Sequence, residues 1–156
     1  MFFRTTYHFL KCFKIATLWS MKNVVILFEE KGIADSLMEK LQTHLSEDDT
    51  LFVVYELQNL NASSIPMIGD LSEIRLLKAK RLIDTWFKET NLKVKTFVPI
   101  IVERKIQLKL IKNNLPLESN KKLDIISQTN SIHKWKKAID TSGNGIAVEL
   151  IEVMEK

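Results

Sequence analysis

Cysteine, histidine and glycine are all scarce in this chain, and each shortage removes a class of function. The single cysteine, Cys12, rules out an intrachain disulfide, which fits a reducing, cytoplasmic setting. The three histidines, His8, His44 and His133, lie far apart and show no metal-ligand spacing. No apolar run is long enough to cross a bilayer. There is no internal repeat and no low-complexity tract.

Acidic residues are missing from the first twenty positions, MFFRTTYHFLKCFKIATLWS. Arg4, Lys11 and Lys14 give that leader a charge of +3. The whole chain carries +4, so residues 21–156 carry only +1. The basic balance therefore belongs mainly to the leader, and no nucleic-acid-binding surface across the body is implied. Clusters such as Lys78, Lys80 and Arg81, or Lys134, Lys136 and Lys137, read as solvated helix faces. Lys11 and Lys14 interrupt the apolar core of about 7–15 residues that a secretory signal needs. Residues 1–20 read as sequence upstream of a start at Met21 or as a disordered tail. The alternative is a membrane-surface or partner-docking segment using Phe2, Phe3, Tyr7, Phe9, Phe13 and Trp19.

What is present is enough for one real core. A chain of 156 residues fits one domain, and a domain of that size buries roughly 70% of its unfolded surface. Residues 21–156 are read as that domain. Val24 to Phe28 is an apolar, β-branched run suited to a strand buried on both faces. Gly32 punctuates it. Ile33, Leu37, Leu41 and Leu45 then recur every fourth residue, beside Ala34 and Met38, as one stripe of a helix. After the polar break Ser46 to Asp49, Leu51 to Tyr55 reads as a second strand. Gln58 to Asp70 reads as a long loop. A helix from Leu71 to Glu89 follows, its stripe made of Leu76, Ala79, Ile83 and Phe87 and widened by Leu82 and Trp86.

Val94 to Val102 reads as a third strand, placed at an edge or given a bulge by Pro99. Residues 103–115 carry two patterns. Ile106, Leu108 and Leu110 alternate as in a strand, whereas Ile101, Leu108, Ile111 and Leu115 keep helical spacing. A helix is preferred, because a parallel strand needs a crossover and no other segment can make it. Leu123 to Ile126 is the fourth strand. Ile132 to Ile139 is the last helix, with Trp135 and Ala138 facing inward. Thr141 to Gly145 is a turn, and Ile146 to Val153 is the fifth strand. The order predicts an α/β fold, a mainly parallel five-stranded sheet between two helical layers.

Four stretches, NVVILFEE, QNLNASSIPMIGD, KKLDIISQTN and GIAVELIEV, resemble segments of the universal stress protein family, within the larger group of adenine-nucleotide-binding α/β folds. The resemblance covers about residues 22–153. It implies a three-layer α/β/α sandwich wound 3-2-1-4-5. The crevice then lies beyond the carboxyl ends of strands one and four, walled by the loops Glu29 to Gly32 and Ser127 to Ser131. It also implies dimerisation through the C-terminal strand.

ATP-binding members of that family carry a glycine-rich phosphate loop at the position of Ser127 to Ser131. Its glycines let backbone N–H groups approach the phosphates at a helix N-terminus. This chain has no glycine there before Gly143. The family aspartate after strand one has only a loose counterpart, Glu30, with Glu29 and Lys31 beside it. A hydrogen bond to a charged group contributes about 1.5–3 kcal/mol, so losing two weakens phosphate binding on the order of a hundredfold or more. The candidate crevice residues are Glu30, Gly32, Ser127, Thr129, Asn130 and Ser131, with Lys134 able to neutralise a phosphate. Alternatively, Asn130 or Ser131 simply caps the last helix. Asp124, Ser127 and His133 have the residue types of a hydrolytic triad but no nucleophile-elbow sequence. His44 is expected at the exposed end of the first helix.

These readings predict a non-enzymatic, dimeric, stress-protein-like domain with a degenerate nucleotide crevice and no cofactor. The first alternative is a member that binds ATP or AMP through an altered loop. The second is an accessory domain tethered to a membrane or partner by residues 1–20.

Overall fold

A computed structural model describes residues 21–29, 32–57, 71–103, 105–115, 122–141 and 146–154, with backbone alone at Leu71 and Ser72. The leader, Glu30 and Lys31, the loop 58–70 and the turn 142–145 lie outside the described residues.

Five strands form one sheet: β1 Asn23–Phe28, β2 Thr50–Glu56, β3 Thr96–Val102, β4 Lys122–Gln128 and β5 Ala147–Val153. Their order is β3-β2-β1-β4-β5, and every neighbouring pair is parallel. Helices α1 Asp35–His44, α2 Leu71–Thr90, α3 Leu108–Lys112 and α4 Ile132–Thr141 make the crossovers. A three-residue 3-10 turn, Thr129–Ser131, leads into α4.

Side chains alternate along each strand, so the apolar runs feed two cores. Val25, Leu27, Phe52, Val54, Leu123 and Ile125 pack on Leu108 and Ile111 of α3 and on Trp135 and Ala138 of α4. Val24, Ile26, Leu51, Val53 and Ile126 pack on Leu37 and Leu41 of α1 and on Ala79 and Ile83 of α2. The result is a three-layer α/β sandwich. β1 and β2 are continuous apolar runs because both of their faces are covered.

β3 lies at a sheet edge, as Pro99 required. It starts at Thr96 rather than Val94, where the amides of Lys95 and Thr96 bond the Asp49 carbonyl. The ambiguity over 103–115 is resolved by one side chain. Ile106, Leu108 and Ile111 are buried, while Leu110 is exposed. Strand alternation would have buried Leu110 with Ile106 and Leu108, so the helical spacing holds, though only over Leu108–Lys112.

The stripe on α2 is narrower than its sequence suggests. Ala79 and Ile83 are buried and Trp86 and Phe87 half-buried, but Leu76 and Leu82 are exposed. Geometry accounts for both. A 20-residue helix is about 30 Å long, whereas a 7-residue strand spans about 23 Å, so α2 outruns the sheet near Leu76. Leu82 sits about 100° around the helix from Ile83.

Polar groups seal the amino ends of the strands. The buried carboxylate of Asp49 accepts the Lys22 amide on Oδ1 and the Ser46 amide on Oδ2, both at 2.8 Å. The Lys22 ammonium lies 3.6 Å from Asp49 Oδ2 and also donates to the His44 carbonyl. His44 is therefore not a free helix end. Its Nε2 lies 3.0 Å from Oδ2 of Asp124, a buried carboxylate on β4. Asp124 comes 80 residues later in sequence, and only the β1–β4 pairing brings it under the end of α1.

Among the described residues, no helix is long and apolar enough to cross a membrane.

Candidate functional site

The sheet order changes direction between β1 and β4, and a crevice opens where these strands end. Leu27, Ile33, Leu37 and Ile126 form its apolar floor. Glu29, Ser127, Gln128 and Ser131 supply its polar rim. Gly32 closes the loop after β1. Its φ of +87° is open to glycine at little cost, and its amide donates to the Glu29 carbonyl at 2.8 Å. This tight turn sends the chain directly into α1 and holds Glu29 at the mouth.

Of the predicted residues, Gly32, Ser127 and Ser131 line the crevice. Thr129 and Asn130 do not; both side chains are exposed, and the Thr129 hydroxyl faces the Val153 carbonyl at 3.5 Å. Glu30 lies outside the described residues. Glu29 reaches the rim.

The donors expected to meet a phosphate are already engaged. Ser131 Oγ donates to Glu29 Oε1 at 2.7 Å, with Asn130 Oδ1 further away at 3.3 Å. A hydroxyl has one proton, and the charged acceptor at short range takes it. Ser127 Oγ donates to the Gln128 carbonyl at 3.0 Å. Lys134 Nζ lies 2.9 Å from Glu56 Oε2, across the end of β1. The residue flanking the 3-10 turn is Gln128, and it makes no side-chain capping bond.

Two bonds thus strap the entry to α4 to neighbouring strand ends, Ser131 to Glu29 just after β1 and Lys134 to Glu56 at the end of β2. The space left for the centre of a water-sized sphere is about 10 Å³, roughly what one water needs. The enclosed part of this crevice is thus water-sized, and the Glu29 carboxylate stands at its rim.

No hydrolytic triad assembles. Asp124 binds His44, Ser127 lies three residues along β4 and so on the opposite side of the strand, and His133 is exposed on α4. Among the described residues, no group of three or more His, Cys, Asp or Glu side chains is placed to hold a metal ion.

At the β4–β5 edge, Lys122 Nζ bonds Glu149 Oε2 at 2.9 Å and lies 3.7 Å from Asp124 Oδ1. The hydrogen bond to Glu149, then the charges of Asp124 and Glu149, hold the Lys122 ammonium above its ordinary pKa. The same hydrogen bond and the lysine charge hold the Glu149 carboxyl below the usual carboxylate range.

Comparison with known proteins finds no matching family model, no matching curated protein and no matching solved structure.

Proposed function

We propose that this chain is a non-enzymatic domain of the universal stress protein type, whose switch-point crevice no longer grips a nucleotide and which acts through dimerisation. The observation that carries the reading is the 2.7 Å bond from Ser131 to Glu29. It occupies the position where a phosphate oxygen would take a donor, and it does so with a carboxylate. The sheet order, 3-2-1-4-5, is the order the family resemblance implies, and it supports assigning the layout to that group.

β5 favours the dimer. It is a sheet edge whose Val148, Leu150, Ile151 and Val153 are only half-buried, and an open apolar edge invites pairing with a second copy. Light scattering on the full chain is expected to give twice the monomer mass; a strict monomer at high concentration contradicts the dimer. Calorimetric titration with ATP and magnesium tests the crevice. The reading expects no saturable heat at micromolar ATP. Saturable micromolar binding that disappears in Ser127→Ala/Asn130→Ala would replace it with an ATP-binding function.

A further inference from the structure

We propose that the outer face of α2 docks on an anionic lipid surface. Of the large apolar side chains that the structure leaves exposed, most lie on this helix. Ile74 is 58% and Leu77 54% exposed, although α2 has its own buried stripe at Ala79 and Ile83. Ile74, Leu77, Lys78, Arg81, Thr85 and Lys88 fall within one arc of about 100° on a helix of 3.6 residues per turn. All six are exposed. The stripe pairs two aliphatic residues with three cations and contains no acid. The acids of α2, Glu73, Asp84 and Glu89, lie outside it on the flanks.

Lys78, Arg81 and Lys88 form no ion pair with another described residue. Exposed lysines and arginines are ordinary, and alone they are a solvated face. Adding adjacent bare isoleucine and leucine changes the argument, because water gains nothing from them. Aliphatic side chains beside cations at helical spacing are the pattern of a helix lying in a membrane interface. The stripe is a convex ridge rather than a groove, which suits a deformable, flat partner. A nucleic acid would use the cations but not the two aliphatic side chains. A second copy of this chain would set the same cations against each other across a two-fold interface.

The proposal is independent of the crevice and of the dimer. Flotation of the full chain with phosphatidylcholine vesicles, with and without phosphatidylserine, tests it. Binding is expected only to the anionic vesicles and to weaken with salt. Each cation near such a surface contributes about fivefold to partitioning. Lys78→Gln/Arg81→Gln/Lys88→Gln should therefore lower it on the order of a hundredfold, and Ile74→Ser/Leu77→Ser by roughly a hundredfold as well, each buried aliphatic side chain contributing about tenfold or more. Both variants should melt like the parent, because every replaced side chain is exposed. The proposal is overturned by any of four results: no binding to anionic vesicles; equal binding by both variants, which would place the contact elsewhere, as in the leader; equal binding to uncharged vesicles; or conversion of a dimer to monomer by Ile74→Ser/Leu77→Ser, which would assign the face to a second copy.

Discussion

His44 Nε2 and Asp124 Oδ2 lie 3.0 Å apart, joining the last turn of α1 to the start of β4. Asp124 is buried, and its other oxygen, Oδ1, has no hydrogen-bond donor. The imidazole is thus the closest polar partner of a carboxylate held away from water, with the Lys122 ammonium 3.7 Å from Oδ1. His44→Ala should destabilise the fold by about 2 kcal/mol, the scale of a lost hydrogen bond to a charged group. Asp124→Asn in the same background should recover part of that loss. A double-mutant cycle in urea should give a coupling of about 1 kcal/mol or more; additive losses would mean that the contact contributes nothing.

Asp49 should be the more damaging site at this end of the sheet. Its buried carboxylate holds two backbone amides, of Lys22 and Ser46, and faces the Lys22 ammonium. Asp49→Ala strands those amides together and should cost about 3 kcal/mol. Asp49→Asn keeps one acceptor and should cost less. Chemical denaturation of the two variants should preserve that ranking.

Gly32 isolates a backbone effect. A Cβ at this position would meet nothing within 4 Å, so only its φ of +87° opposes a side chain. Gly32→Ala should lose about 1 kcal/mol, and Gly32→Asn less, because asparagine tolerates positive φ better. A much larger loss from alanine would show that the turn is more crowded than the structure implies.

The exposed pair Lys122–Glu149 makes a prediction about titration rather than stability. Glu149 should titrate below the ordinary carboxylate range, mainly through its hydrogen bond to Lys122. Lys122→Met should return it to that range in an NMR titration. The stabilising part of a depressed carboxyl is present above its unfolded pKa and fades as pH falls through the folded one. Lys122 is raised, so its share is present below the ordinary lysine range and fades as pH rises through the folded value. Both groups are exposed, so their net effect on melting should be small.

The layered fold was legible because it depends on local pattern. Val24 to Phe28 and Leu51 to Tyr55 are apolar runs that only a doubly covered strand explains, and the fourfold repeat from Ile33 to Leu45 marks α1. Pro99 asked for an edge or a bulge, and β3 takes the edge. The contacts between distant segments were not legible. His44 with Asp124 and Lys134 with Glu56 join residues 80 and 78 positions apart, and neither partner signals the other. Ser131 with Glu29 spans 102 positions. Sequence placed both loops at the mouth but read Ser131 as a free donor or a cap.

The clasp itself is the most direct test. ATP–magnesium affinity should be measured by calorimetry on the parent chain, Glu29→Gln and Ser131→Ala, side by side. Removing the Glu29 charge should strengthen whatever weak binding exists by roughly tenfold, one hydrogen-bond-sized step in free energy, whereas Ser131→Ala, which loses the hydroxyl donor and keeps the carboxylate, should gain nothing. A parent that binds ATP tightly, and loses that binding in either variant, would mean that Glu29 and Ser131 hold a nucleotide rather than exclude it.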